Sequence, residues 1–108
     1  MNVYICSPYA GRTGKEPEIT DNVIKARRYC REAMLKQNVF PICPQIYFTQ
    51  FLDDSNPDER ERGLTCGLDL LDCCEEIWVY GSYISEGMKA EIEHAQKHEI
   101  SIKYVEVQ

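Results

Sequence analysis

Residues 76–91 read EIWVYGSYISEGMKAE: an apolar run, a break of glycine, serine and tyrosine, then helical spacing. Ile77, Trp78, Val79 and Tyr80 form a β-rich segment of the length a buried strand needs. Ser85 is a suitable N-cap, and Glu86 complements the positive end of a helix dipole. Met88, Ile92 and Ala95 then recur on one face of a helix expected over residues 85–98. A strand feeding a helix in this way is the repeating unit of a parallel sheet. The same unit poses a chemical question at Glu91, one residue from Ile92 and three from Met88, on the flank of the apolar stripe. Either it is an edge glutamate with its head in solvent, or it is a reactive carboxylate held in a pocket.

Outward from this unit the pattern repeats. Val3-Tyr4-Ile5-Cys6 is a short apolar strand closed by Ser7-Pro8, and residues 8–17, PYAGRTGKEP, read as a loop. Thr20 or Asp21 can cap a helix over about residues 21–37, with Val23, Ala26, Cys30, Ala33 and Met34 inward. Val39–Ile42 is a second strand, which Pro41 places at an edge. Helical turns follow around Ile46–Leu52 and a loop over 53–56. Pro57 suits the first turn of a helix reaching about Asp72, and Ile100–Val107 supplies the last strand. This alternation predicts a single α/β domain over residues 1–108. Its expected architecture is a small doubly wound, flavodoxin-like three-layer sandwich with a parallel sheet of four or five strands. Such sheets bind ligands beyond the carboxyl ends of their strands, which singles out loops 7–17 and 81–87.

Composition narrows the function classes. With 44% hydrophobic and 28% charged residues the 108-residue chain has the make-up of an ordinary globular domain. A formal net charge of −6 argues against binding nucleic acid polymers. The six cysteines show no CxxC spacing, and no apolar run approaches a membrane span or a leader. A reduced, cytoplasmic protein without a membrane partner is expected, its cysteines serving as small core hydrophobes. His94 and His98 share a helix face, but Glu91 lies about 10 Å along the axis from His98. No other third ligand is evident in the sequence, so neither a metal nor another cofactor is expected.

Ser85-x-Gly87-x-x-x-Glu91 after an apolar strand resembles the active-site segment of the nucleoside 2-deoxyribosyltransferases and the related deoxynucleoside 5′-monophosphate N-glycosidases. Tyr4-Ile5-Cys6-Ser7-Pro8 resembles the first strand and loop of that superfamily. The segments PxxYFTQFLDD, ER and WVYG…SEGMxxEI are closer still to a phage and bacterial branch with no assigned reaction. The resemblance implies double displacement at a sugar anomeric carbon, with Glu91 as nucleophile and Tyr4 positioning its carboxylate. Ser7, Tyr9, Gly11, Arg12, Ser85, Gly87 and Met88 would bind a small-molecule nucleoside or nucleotide, Arg12 meeting a 5′-phosphate. The N-glycosidase acid that protonates the leaving base falls on Gly67, leaving Asp69 as the nearest carboxylate and Asp72 as the next. The family aspartate at the start of the third strand is matched by Glu75, and Ser85 replaces the transferase aspartate, as in the monophosphate-specific branch. Neighbouring subunits complete each other's sites in this superfamily, so a homo-oligomer is implied. The aromatic group Tyr47, Phe48 and Phe51 reads as core or subunit interface before it reads as a base-stacking platform. A non-catalytic nucleotide binder is the competing reading, carried by Gly67.

Overall fold

Side-chain alternation in the first strand sets the layers. In β1 (Asn2–Cys6) Val3 and Ile5 are buried on one face while Tyr4 and Cys6 are buried on the other. A strand buried on both faces must lie inside a sheet with helices on either side. The computed structural model describes residues 1–107 and has that arrangement. After β1 come α1 (Glu16–Gln37), β2 (Phe40–Ile42), α2 (Pro44–Phe48), α3 (Pro57–Leu71), β3 (Glu76–Tyr80), α4 (Glu86–Lys97) and β4 (Ser101–Val105). All pairings are parallel, in the order β2-β1-β3-β4. The expected four-or-five-stranded parallel α/β sandwich is therefore present, with four strands among the described residues.

Two cores fill the layers. Val3, Ile5, Trp78 and Tyr80 pack against Tyr29 and Ala33 of α1. Tyr4, Cys6, Ile77 and Val79 pack against Leu71 of α3 and Met88, Ile92 and Ala95 of α4. The chain leaves β1 towards β2 on one side and β3 on the other, so the connections part at the β1/β3 boundary. A crevice opens there beyond the strand ends.

Two element boundaries differ from expectation. Helix α1 begins at Glu16 instead of residue 21, because Pro17 sits in its first turn, where a missing N–H costs nothing, and Glu16 and Glu18 suit the dipole. Glu18 also turns back to accept from the N–H of Arg12 at 2.9 Å and of Thr13 at 2.7 Å, and from the Thr13 hydroxyl at 2.6 Å. Gly11, at φ +68°, holds a left-handed conformation that strains other residues, and a Cβ there would also displace the Glu18 carboxylate. Helix α2 is shorter and earlier than expected, starting at Pro44 and ending at Phe48.

Candidate active site

A pocket of about 540 Å³ occupies the crevice. Its floor is the Tyr4 side of β1, and its walls come from the loop after β1, from α2 and α3, and from the first turns of α4. Ser85 caps α4 by accepting from the Met88 N–H at 3.3 Å, which fixes the helix start beside the strand ends. Gly87 has open space where a Cβ would stand. One and a half turns into the helix, Glu91 projects into the pocket.

The Glu91 carboxyl faces two donors from β1. The Cys6 thiol lies 3.7 Å from Oε1, and the Tyr4 hydroxyl interacts with the same group. Burial raises the Glu91 pKa from 4.5 to about 7, against the two hydrogen bonds, which favour the charged form. Burial and the neighbouring carboxylate hold Tyr4 and Cys6 far above their ordinary pKa values, so both remain protonated donors. Glu91 is half-buried at the pocket wall, its carboxyl against the Cys6 thiol and the Tyr4 hydroxyl.

The structure gathers most of the sequence-derived candidates. Tyr4, Ser7, Tyr9, Gly11, Ser85, Gly87, Met88 and Glu91 all line the pocket. Buried Ser7 accepts from Gln45 Nε2 at 3.1 Å, and Asn22 holds the loop by donating to the Tyr9 carbonyl at 2.9 Å. Two candidates lie outside. Arg12 is exposed, its guanidinium 4.6 Å from the centroid of Tyr83, whose ring is the part of this contact that reaches the pocket. Asp69 is exposed on α3 and does not line the pocket. Helix α3 lines the pocket with Arg60, Gly63, Leu64, Gly67 and Leu68, and two residues beyond Gly67 is a rotation of about 200°.

Three charged pocket residues, Asp54, Glu59 and Arg60, are not among the site candidates that the sequence offers. Their signal was Asn56-Pro57. A helix leading into a strand of a parallel sheet starts at the sheet's carboxyl edge, so its first turn faces the crevice. The Asn56 side chain caps α3 by accepting from the N–H groups of Asp58 at 3.0 Å and Glu59 at 3.2 Å. Glu59 in turn accepts from the Asp53 N–H at 3.0 Å, which fastens the loop over the pocket wall. Of the aromatic group, Phe48 lines the pocket, while Tyr47 and Phe51 are exposed.

A family model of a domain of unknown function (DUF7768) matches residues 1–105. The chain belongs to that family. No curated protein matches it in sequence. Among solved structures the chain is similar to a 2-deoxyribosyltransferase from the psychrotolerant bacterium Bacillus psychrosaccharolyticus, with a TM-score of 0.67 at 13% identity. That likeness covers 98% of this chain and 72% of the other. At this identity it establishes a shared fold, which agrees with the superfamily resemblance of the Tyr4–Pro8 and Ser85–Glu91 segments. Among the described residues no helix is long and apolar enough to cross a membrane.

At the opposite edge of the sheet, His94 and His98 meet Asp72. The sequence argument against a metal rested on a missing third ligand. Asp72, a family-acid alternative on sequence alone, is instead the C-cap of α3 and does not line the pocket.

Proposed function

We propose that this protein catalyses glycosyl transfer or hydrolysis at the anomeric carbon of a nucleoside or nucleotide, with Glu91 as nucleophile. The observation that carries the reading is the Glu91 carboxyl inside the pocket with two protonated β1 donors against it. Ionised Glu91 attacks C1′ while the C1′–N bond breaks, and the bonding pair leaves with the base. The product is a glycosyl ester on Glu91, opened by water in hydrolysis or by a second base in transfer. Tyr4 and Cys6 orient the carboxylate, and the burial that raises its pKa also keeps bulk water from the oxocarbenium-like centre.

The remaining lining assigns roles to the other groups. Phe48, Leu64 and Met88 form an apolar wall suited to a base, and Arg60 is the cation in place to meet a sugar oxygen or a 5′-phosphate. Arg12 acts through Tyr83, and the N–H groups of Arg12 and Thr13 are already occupied by Glu18. Asp54 and Glu59 replace Asp69 as candidates to protonate the leaving base. A second copy of the chain covers the exposed aromatic face beside the pocket, as the resemblance implies.

The binder reading keeps one observation in its favour: α3 turns Gly67, with no acid, towards Tyr4, whose hydroxyl is 3.4 Å from where a Cβ would stand. Base release from a panel of nucleosides and 5′-monophosphates decides between the two. Glu91→Gln preserves shape and should bind substrate while turnover falls by orders of magnitude, because the lost charge acts in the transition state. Wild-type protein should carry a sugar adduct on Glu91, detectable by mass spectrometry. Undiminished turnover in Glu91→Gln would overturn the assignment, and tight binding without turnover in both proteins would establish the binder.

A further inference from the structure

The C-terminal ends of α3 and α4 converge at the amino-terminal edge of the sheet, outside the pocket and about one helical turn beyond its lining residues Leu68 and Glu91. His94 Nε2 is 2.7 Å from Asp72 Oδ1, and His98 Nδ1 is 3.5 Å from the same oxygen. The two imidazoles stack at a centroid distance of 4.0 Å and an interplanar angle of 19°, so their nitrogen edges lie side by side. One ligand atom from each of the three residues falls within 4.8 Å of the others. We infer that Asp72, His94 and His98 form a binding site for a first-row divalent transition ion such as Zn²⁺, which clasps α3 to α4.

Chemistry and geometry agree with this ion class. Two imidazoles and one carboxylate are a ligand set for zinc and its neighbours, unlike the all-oxygen sets of magnesium or calcium. With metal–ligand bonds of about 2.1 Å, tetrahedral ligand atoms lie about 3.4 Å apart and octahedral ones about 3 Å apart. The two His–Asp separations bracket that range, and small side-chain rotations close the third. His98 and Asp72 are partly exposed, so an ion reaches the site and retains water at its open positions. Both helices also point their negative dipole ends here, Asp72 being the C-cap of α3 and His98 that of α4. Since α3 and α4 also carry Arg60 and Glu91 of the pocket lining, the ion would fix the separation of two pocket walls from outside the pocket.

Calorimetric titration of the reduced protein with Zn²⁺ at neutral pH tests the site, alongside His98→Ala, Asp72→Asn and Cys73→Ser. Wild type and Cys73→Ser should each bind one ion, and the two ligand variants should bind about 100-fold more weakly or worse. Co²⁺ in place of Zn²⁺ should show no thiolate charge-transfer band. Saturating Zn²⁺ should raise the Tm of wild type on the order of 10 °C and that of His98→Ala by far less. No binding to wild type at millimolar Zn²⁺ would overturn the site. So would unchanged affinity in both ligand variants, or loss of binding only in Cys73→Ser.

Discussion

Glu91 sets function against stability at a single side chain. The folded protein holds the Glu91 proton more tightly than the unfolded chain, because burial raises its pKa from 4.5 to about 7. For this group stability is fully present below about pH 4.5, falls as the pH rises towards 7, and levels off above. The total loss is about 3 kcal/mol. Glu18, lowered to about 2 by Thr13 and the amides of Arg12 and Thr13, contributes the opposite slope in acid. Comparing Glu91→Gln with wild type cancels Glu18 and isolates Glu91. The variant should be the more stable protein at pH 8, by up to about 3 kcal/mol in urea unfolding, and the difference should vanish near pH 4. Turnover needs the ionised carboxylate, so wild-type kcat/KM should rise through pH 7 while stability declines. Parallel stability curves for the two proteins would show that the carboxyl is solvated.

At the scale of the element, legibility followed the length of the pattern. Strands β1 and β3 and helices α3 and α4 lie within two residues of their expected bounds, since each combines an apolar run or stripe with a cap or proline signal. The start of α1 was hidden because Pro17 and the nearby glycines mark a loop unless the first-turn tolerance of proline is weighed. Site residues on β1 and α4 were legible because they adjoin recognisable strand ends. Asp54, Glu59 and Arg60 depend on where α3 starts relative to the sheet, and the Asp72–His94 contact joins residues 22 apart, so helical spacing alone reveals neither. Gly67 shows the same dependence on packing, as its place against Tyr4 belongs to the helix–sheet interface. An added methyl would meet the Tyr4 hydroxyl at 3.4 Å and Pro44 Cβ at 4.0 Å, both ordinary contacts. Gly67→Ala should therefore stabilise the protein by about 0.5–1 kcal/mol through helix propensity and a less flexible unfolded chain. Its Tm should rise by a few degrees. A fall would mean that α3 sits closer to β1 than these distances allow.

At the scale of the whole molecule, the exposed apolar surface beside the pocket is largely aromatic. Tyr47 and Phe51 are 65% and 59% exposed, and Leu64 on the adjoining helix is 44% exposed. Tyr47 and Phe51 meet edge to face at 5.1 Å between centroids, and Phe48 tilts against Tyr47 at 5.6 Å while lining the pocket. A contiguous aromatic surface of this kind is costly to leave in water, which favours the second copy of the chain proposed to cover it. Because Phe48 belongs both to that face and to the pocket, a subunit seated there would also close the pocket mouth. Sedimentation across a concentration series should thus show wild type heavier than one chain, in a closed symmetric assembly. Phe51→Asp puts a charge in the middle of the face without touching Glu91, and should sediment as a monomer with its far-UV spectrum intact. If the partner completes the site, base release in Phe51→Asp should fall with the loss of assembly and recover as protein concentration is raised. A wild type that stays monomeric at every concentration would remove the second subunit from the proposed site.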